Sequence, residues 1–125
     1  MRTSSLKGIL WHQGENDCFG DNYSFYAQRF LSVMNGFRKE LGCSDLPILI
    51  GGLGDFLKNL EKYPEFAQNY LKINSILRKL GKEYAHCTFV CAEGLGANPD
   101  NLHFNSQALK EFGIRYYQAY SPFSE

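Results

Sequence analysis

His103, in the run PDNLHF, stands three positions after Asp100. An imidazole can take a proton from a nucleophile, and a carboxylate that close fixes its tautomer and steadies the imidazolium, so the pair could supply two parts of a hydrolytic triad. Taken bare, the D-x-x-H spacing is a weak signal, because a loop Asp after Pro99 is more often a turn former or helix cap. A second polar run, WHQGEND, gathers Gln13, Glu15, Asn16 and Asp17 around Gly14. An amide N–H from Asn16 aimed at a developing tetrahedral oxygen would lower an acyl-transfer barrier by about 3 kcal/mol. The plainer alternative is a solvated turn in which Asp17 or Asn22 caps the next helix.

Other reactive side chains carry less weight. His12 and His86 flank strand-like stretches, where histidine usually packs or hydrogen-bonds structurally. Trp11, Tyr23, Tyr26 and Tyr116 fit core or pocket-wall positions, with Trp11 the first to test for a sugar contact. Cys18, Cys43, Cys87 and Cys91 lack the C-x-x-C spacing of zinc or redox motifs and read as free, largely buried thiols, so no metal or cofactor is expected. Cys18, beside the GEND run, stays open as a nucleophile if a nearby imidazole or helix terminus activates its thiolate.

The elements that must position these residues alternate. Gly8–Trp11 reads as a short buried strand that delivers the WHQGEND loop. Apolar positions from Tyr23 to Leu41 recur at helical spacing, and Gly42 follows as a C-cap. Pro47–Leu53 is a continuous apolar strand followed by the polar loop GDFLKN. A helix spans Pro64 to Tyr84, its end softened by Gly81, and CTFVC, Cys87–Cys91, forms a third strand. Ser106 is expected to N-cap a last helix over Gln107–Tyr120. Strand and helix in strict alternation imply an open parallel sheet, whose ligands bind beyond the carboxyl ends of the strands, where all three polar loops fall.

Composition narrows the classes. The 125 residues carry 13 basic and 13 acidic side chains with 44% hydrophobic residues, an ordinary globular balance with no basic excess for nucleic acid. No apolar run approaches the roughly 20 residues needed to cross a bilayer, and no signal-peptide h-region follows Met1–Lys7, so no membrane role is expected and a cytoplasmic location is. No repeat or linker divides the chain, and residues 1–125 are treated as one unit.

Taken in order, GILWHQGEND, DLPILIGGLGDF, AEGL followed by DNLHF, and EFGIRYYQAY resemble the sialate O-acetylesterase and acetylxylan esterase family of the SGNH hydrolases. The resemblance implies a flavodoxin-like, three-layer α/β/α fold with a parallel sheet. It implies His103 as general base, assisted by Asp100 or Glu15, and Asn16 as oxyanion donor, with Gly14 and Gln13 beside it. The substrate would be an acetylated carbohydrate such as a sialic acid or acetylxylan. The family's nucleophile lies in a G-Q-S-N-type motif that does not occur here, and Ser4 and Ser5 precede a strand instead of following one. The expectation is a partial SGNH domain, incomplete at its N-terminus, that takes its serine from a missing N-terminal segment or an oligomer partner. The alternative is a non-catalytic carbohydrate-binding or interaction remnant of the fold.

Overall fold

A computed structural model describes residues 4–124. Strand β1 (Ile9–Trp11), helix α1 (Tyr26–Glu40), strand β2 (Ile48–Gly51), helix α2 (Phe66–Glu83), strand β3 (Cys87–Val90) and helix α3 (Ser106–Tyr120) follow one another along the chain. The strands form one parallel sheet in the order β1-β2-β3, with Leu10 opposite Leu49 and Ile50 opposite Phe89. Each step moves the same way across the sheet, so the preferred crossover hand sends both connecting helices to one face. Ile48 and Ile50 accordingly pack with Phe30 and Met34 of α1 and Ile73 and Leu77 of α2, while Leu49 and Val90 face Phe112 of α3 on the other side. The α/β/α layering implied by the motifs is the observed architecture.

Three local devices hold these layers. Gly42, at φ 64°, closes α1: its N–H donates to Lys39 O at 3.2 Å and that of Cys43 to Arg38 O at 2.9 Å, the paired bonds of a Schellman end. Gly81 lies inside α2 and does not weaken its end. A Cβ there would stand 2.5 Å from the Phe89 backbone nitrogen, so glycine lets α2 lie directly on β3. Arg38, buried in α1, donates to the carbonyls of Leu46 (2.8 Å), Ala85 (2.7 Å) and His86 (3.3 Å). One guanidinium thus satisfies backbone acceptors where β2 and β3 begin.

Several boundaries differ from the sequence expectation. Tyr23 belongs to a tight 3₁₀ turn, Asn22–Phe25, and α1 starts only at Tyr26. Neither Asp17 nor Asn22 caps it. β2 ends at Gly51: Gly52 N–H still donates to Val90 O at 2.8 Å, but the backbone of Leu53 turns to α2, where Asn74 accepts from its N–H at 2.7 Å and donates to its O at 3.0 Å. The cap of α3 is Asn105, whose side chain accepts from Ala108 N–H at 2.8 Å, and Ser106 is the first helical residue. Asn105 has the extended backbone that lets a cap oxygen reach forward, whereas Ser106 is already helical.

Candidate active site

The loop after β1 is built on Gly14, whose φ of 146° suits glycine and whose position is buried against Ile73 and Leu53. A Cβ there would approach Ile73 Cγ2 to 2.9 Å. From this pivot a 3₁₀ turn, Glu15–Cys18, carries Glu15 and Asn16 outward and Cys18 inward. Gln13 donates to Asp17 Oδ2 at 2.8 Å, tying the two ends of the turn together.

The loop after β3 folds back on itself. Ala97 bridges Phe104, Asn98 N–H donates to His103 O at 2.8 Å, and Asn101 adopts a positive φ of 54° at the tip. Within it one oxygen of Asp100 accepts from the backbone N–H groups of Leu102 (2.9 Å) and His103 (3.1 Å), and the other lies 2.6 Å from His103 Nδ1. Turn former and imidazole partner are therefore the same side chain. The His103 bond, followed by the two backbone donors, holds the Asp100 carboxyl down at about 2. A carboxylate only accepts, so Nδ1 carries a proton, and in the neutral ring Nε2 then keeps the lone pair that can take one.

Gln13, Glu15, Asn16 and His103 meet in one cleft of about 440 Å³, walled by Phe19, Tyr63, Phe66 and Leu102. Two of the three polar loops contribute to it. The third, after β2, stays behind: Asp55 accepts from Gly94 N–H at 3.3 Å. Asp100 stands behind His103, and Gly14 is buried beneath the cleft. Glu15 makes no contact with His103 among the described residues; it lies 3.8 Å from His12 Nδ1 instead. His12 in turn uses Nε2 on Gly52 O at 3.2 Å and lies edge-on to Phe104 and Phe112.

Two candidates raised by the sequence are not at the cleft. Trp11 donates to the Tyr26 hydroxyl at 3.2 Å and meets Phe30 edge-on, in a separate pocket beside α1, so it is no wall of this site. Strand alternation turns it toward α1. Cys18 is fully buried, donates to Gly14 O at 3.6 Å, and its thiol is pushed up to about 12 by burial and by the nearby charges of Glu15 and Asp17. Such a thiol forms no attacking thiolate near neutrality. Sequence reasoning missed Phe19, Tyr63 and Phe66, which meet as a small aromatic cluster with Phe19 centroids 4.8 Å from both partners. Tyr63 precedes Pro64, outside any periodic segment, so only its aromatic character could have marked it.

Among the described residues no group of three or more His, Cys, Asp or Glu side chains is placed to hold a metal ion, and no helix is long and apolar enough to cross a membrane.

The parallel sheet with a paired imidazole and carboxylate beyond its strand ends describes an α/β domain with a candidate acid–base pair on its loop end. Comparison with known proteins makes this specific. The profile of the carbohydrate esterases described as sialic acid-specific acetylesterases matches residues 1–122, and the chain belongs to that family. It is 28% identical over 116 residues to a probable carbohydrate esterase of Arabidopsis thaliana, a match covering 92% of this chain and 40% of the relative. The X-ray structure of that plant protein superposes with a TM-score of 0.79 at 24% identity, over 94% of this chain and 45% of that one. The chain thus spans less than half the length of the relative it matches.

Proposed function

We propose that this chain is the base-bearing part of a carbohydrate O-acetylesterase that removes acetyl groups from sugars such as sialic acids or acetylxylan. The observation that carries the reading is the shared cleft, in which Asn16 and an imidazole with a free Nε2 line the same cavity. In the reaction, His103 Nε2 takes the hydroxyl proton of a serine as its oxygen attacks the acetyl carbonyl. Asn16, with Gln13 and the Gly14 turn beside it, stabilises the resulting oxyanion. The imidazolium, steadied by Asp100, then returns the proton to the departing sugar oxygen. Water, activated by the same imidazole, releases acetate from the acyl-serine. Glu15, the carboxylate that lines the cleft, faces the sugar.

The serine comes from a polypeptide segment or partner other than residues 1–125. Hydrolysis of p-nitrophenyl acetate is expected to be absent for this chain alone and present when it is joined to a nucleophile-bearing segment. A joined protein that folds yet remains inactive overturns the esterase reading.

One observation favours a second reading for the isolated chain: among the described residues no Ser, Thr or Cys lines the cleft. A carbohydrate-binding module without turnover would then remain. Calorimetry with acetylated and deacetylated sugars separates the two, since binding that no added segment converts into hydrolysis supports the module.

A further inference from the structure

The aromatic wall of the cleft is fastened by hydrogen bonds as well as by packing. Phe19 follows the turn that carries Glu15 and Asn16, and α2 pins its backbone on both sides. Asn69, only 7% exposed, donates to the carbonyls of Cys18 at 2.8 Å and Gly20 at 3.0 Å. Glu65, one turn earlier, accepts from Gly20 N–H at 2.8 Å. A buried amide must find partners, and this one goes to the two carbonyls that flank a half-buried phenylalanine. The ring so fixed meets Tyr63 at 79° and Phe66 at 74°. Phe66 is buried, whereas Phe19 and Tyr63 keep part of their surface on the cleft.

The polar side of the same cleft carries one sign of charge. Glu15 lines it, and Asp17 and Asp100 hold the lining residues Gln13 and His103. Among the described residues no Arg or Lys lines it. Lys62, the exposed neighbour of Tyr63, lies over that ring, 5.3 Å from its centroid, and outside the lining. A ligand carboxylate brought beside Glu15 would therefore meet a like charge with no cation to offset it. At about 440 Å³ the cleft has room for far more than an acetyl group, so the ring that bears the ester can lie in it too.

We propose that Phe19 and Tyr63 form the binding wall for the C–H face of an uncharged pyranose ring, so that the sugar taken by this cleft carries no carboxylate. A pyranose presents C–H bonds on its faces and hydroxyls around its rim. The aromatic wall receives the first, and Gln13, Glu15 and Asn16 offer donors and acceptors to the second. Asn69 is a positioning residue: by holding Phe19 in place before a ligand arrives, it lowers the ordering cost of binding. Of the two kinds of sugar that the esterase reading admits, this selects the neutral, xylose-like kind over sialic acids. The proposal rests on that reading for the presence of a sugar in the cleft.

The test uses the full chain and unacetylated sugars, so that binding is read without turnover. Xylotriose and N-acetylneuraminic acid are titrated separately into isotope-labelled protein while NMR follows the Phe19 and Tyr63 ring signals. Xylotriose is expected to shift both rings, and N-acetylneuraminic acid to bind at least about 10-fold more weakly. Phe19→Ala should weaken xylotriose binding about 10-fold, and Phe19→Tyr should restore most of it. Asn69→Ala should weaken it about 3-fold although Phe19 itself is intact. Should Phe19→Ala unfold, the ring shifts and the sugar preference of the unaltered chain decide the matter. Xylotriose that leaves both rings unshifted, equal or tighter binding of N-acetylneuraminic acid, or unchanged affinity in folded Phe19→Ala each overturns the proposal. Ester hydrolysis by the joined protein is scored separately. Phe19-dependent binding without hydrolysis sinks the esterase reading alone, and hydrolysis without such binding sinks the sugar wall alone.

Discussion

All three histidines of the chain sit three residues from a carboxylate, and the fold uses two of them, His103 and His12, in opposite ways. His103 and Asp100 form a 2.6 Å bond on an exposed loop, and the far nitrogen of His103 has no hydrogen-bond partner among the described residues. His12 and Glu15 stand 3.8 Å apart, too far for a hydrogen bond, and the far nitrogen of His12 is spent on Gly52 O. A carbonyl only accepts, so His12 carries its proton on Nε2, the tautomer opposite to that of His103. Its ring is also held edgewise by Phe104 and Phe112, and so links the loop after β1 to the loop bearing His103. Equal spacing thus yields one imidazole ready to receive a proton and another that serves as a strut. What separates them is whether the second nitrogen meets open cleft or backbone.

The sharpest way to break this contrast is to remove each ring in turn from an active, joined enzyme. His103→Ala is expected to lower kcat for p-nitrophenyl acetate by about 10²–10⁴-fold with thermal stability unchanged. His12→Ala should instead cost about 1–3 kcal/mol of folding stability through the unpartnered Gly52 carbonyl, with a far smaller loss of kcat. Comparable kcat losses in both variants would erase the distinction. A smaller effect sharpens the first pair alone. NMR titration of the Asp100 carboxyl should give a midpoint of about 2 against its ordinary 3.8. Because the folded value is the lower one, this contribution to stability is complete above 3.8 and disappears as pH falls through about 2. In His103→Ala the midpoint should climb toward 3.8 without reaching it, since Leu102 and His103 N–H still donate. A midpoint unmoved by that substitution would mean the imidazole is not the main partner. The smallest effect concerns the anchor of the His103 loop: Asn105→Ala should destabilise the protein by about 1 kcal/mol in denaturant unfolding, and Ser106→Ala by a few tenths. The reverse order would restore Ser106 as the cap.

Much of this arrangement was legible in the chain itself. Alternating helical and strand periodicity placed all six main elements, because burial on one face or two leaves a repeat in the residues themselves. The errors fall where a local signal competes with a distant partner. Tyr23 keeps the apolar spacing of α1 but lies in the 3₁₀ turn, and β2 stops at Gly51, where Asn74, 21 residues beyond Leu53, draws the Leu53 backbone to α2. Ser106 and Asn105 are both good caps by type, and only backbone geometry chose between them.

The residue sequence by itself determined the order of elements and, through their strict alternation, the parallel sheet; it left Asp100 between a turn former and an imidazole partner, and the fold makes it both. Tertiary structure alone decided that Asn16 and His103 share a cleft, that Glu15 turns to His12, that Cys18 is buried and that Trp11 faces away. Those outcomes depend on which face of a strand or turn meets which helix, a relation between residues far apart in the chain that no local pattern encodes.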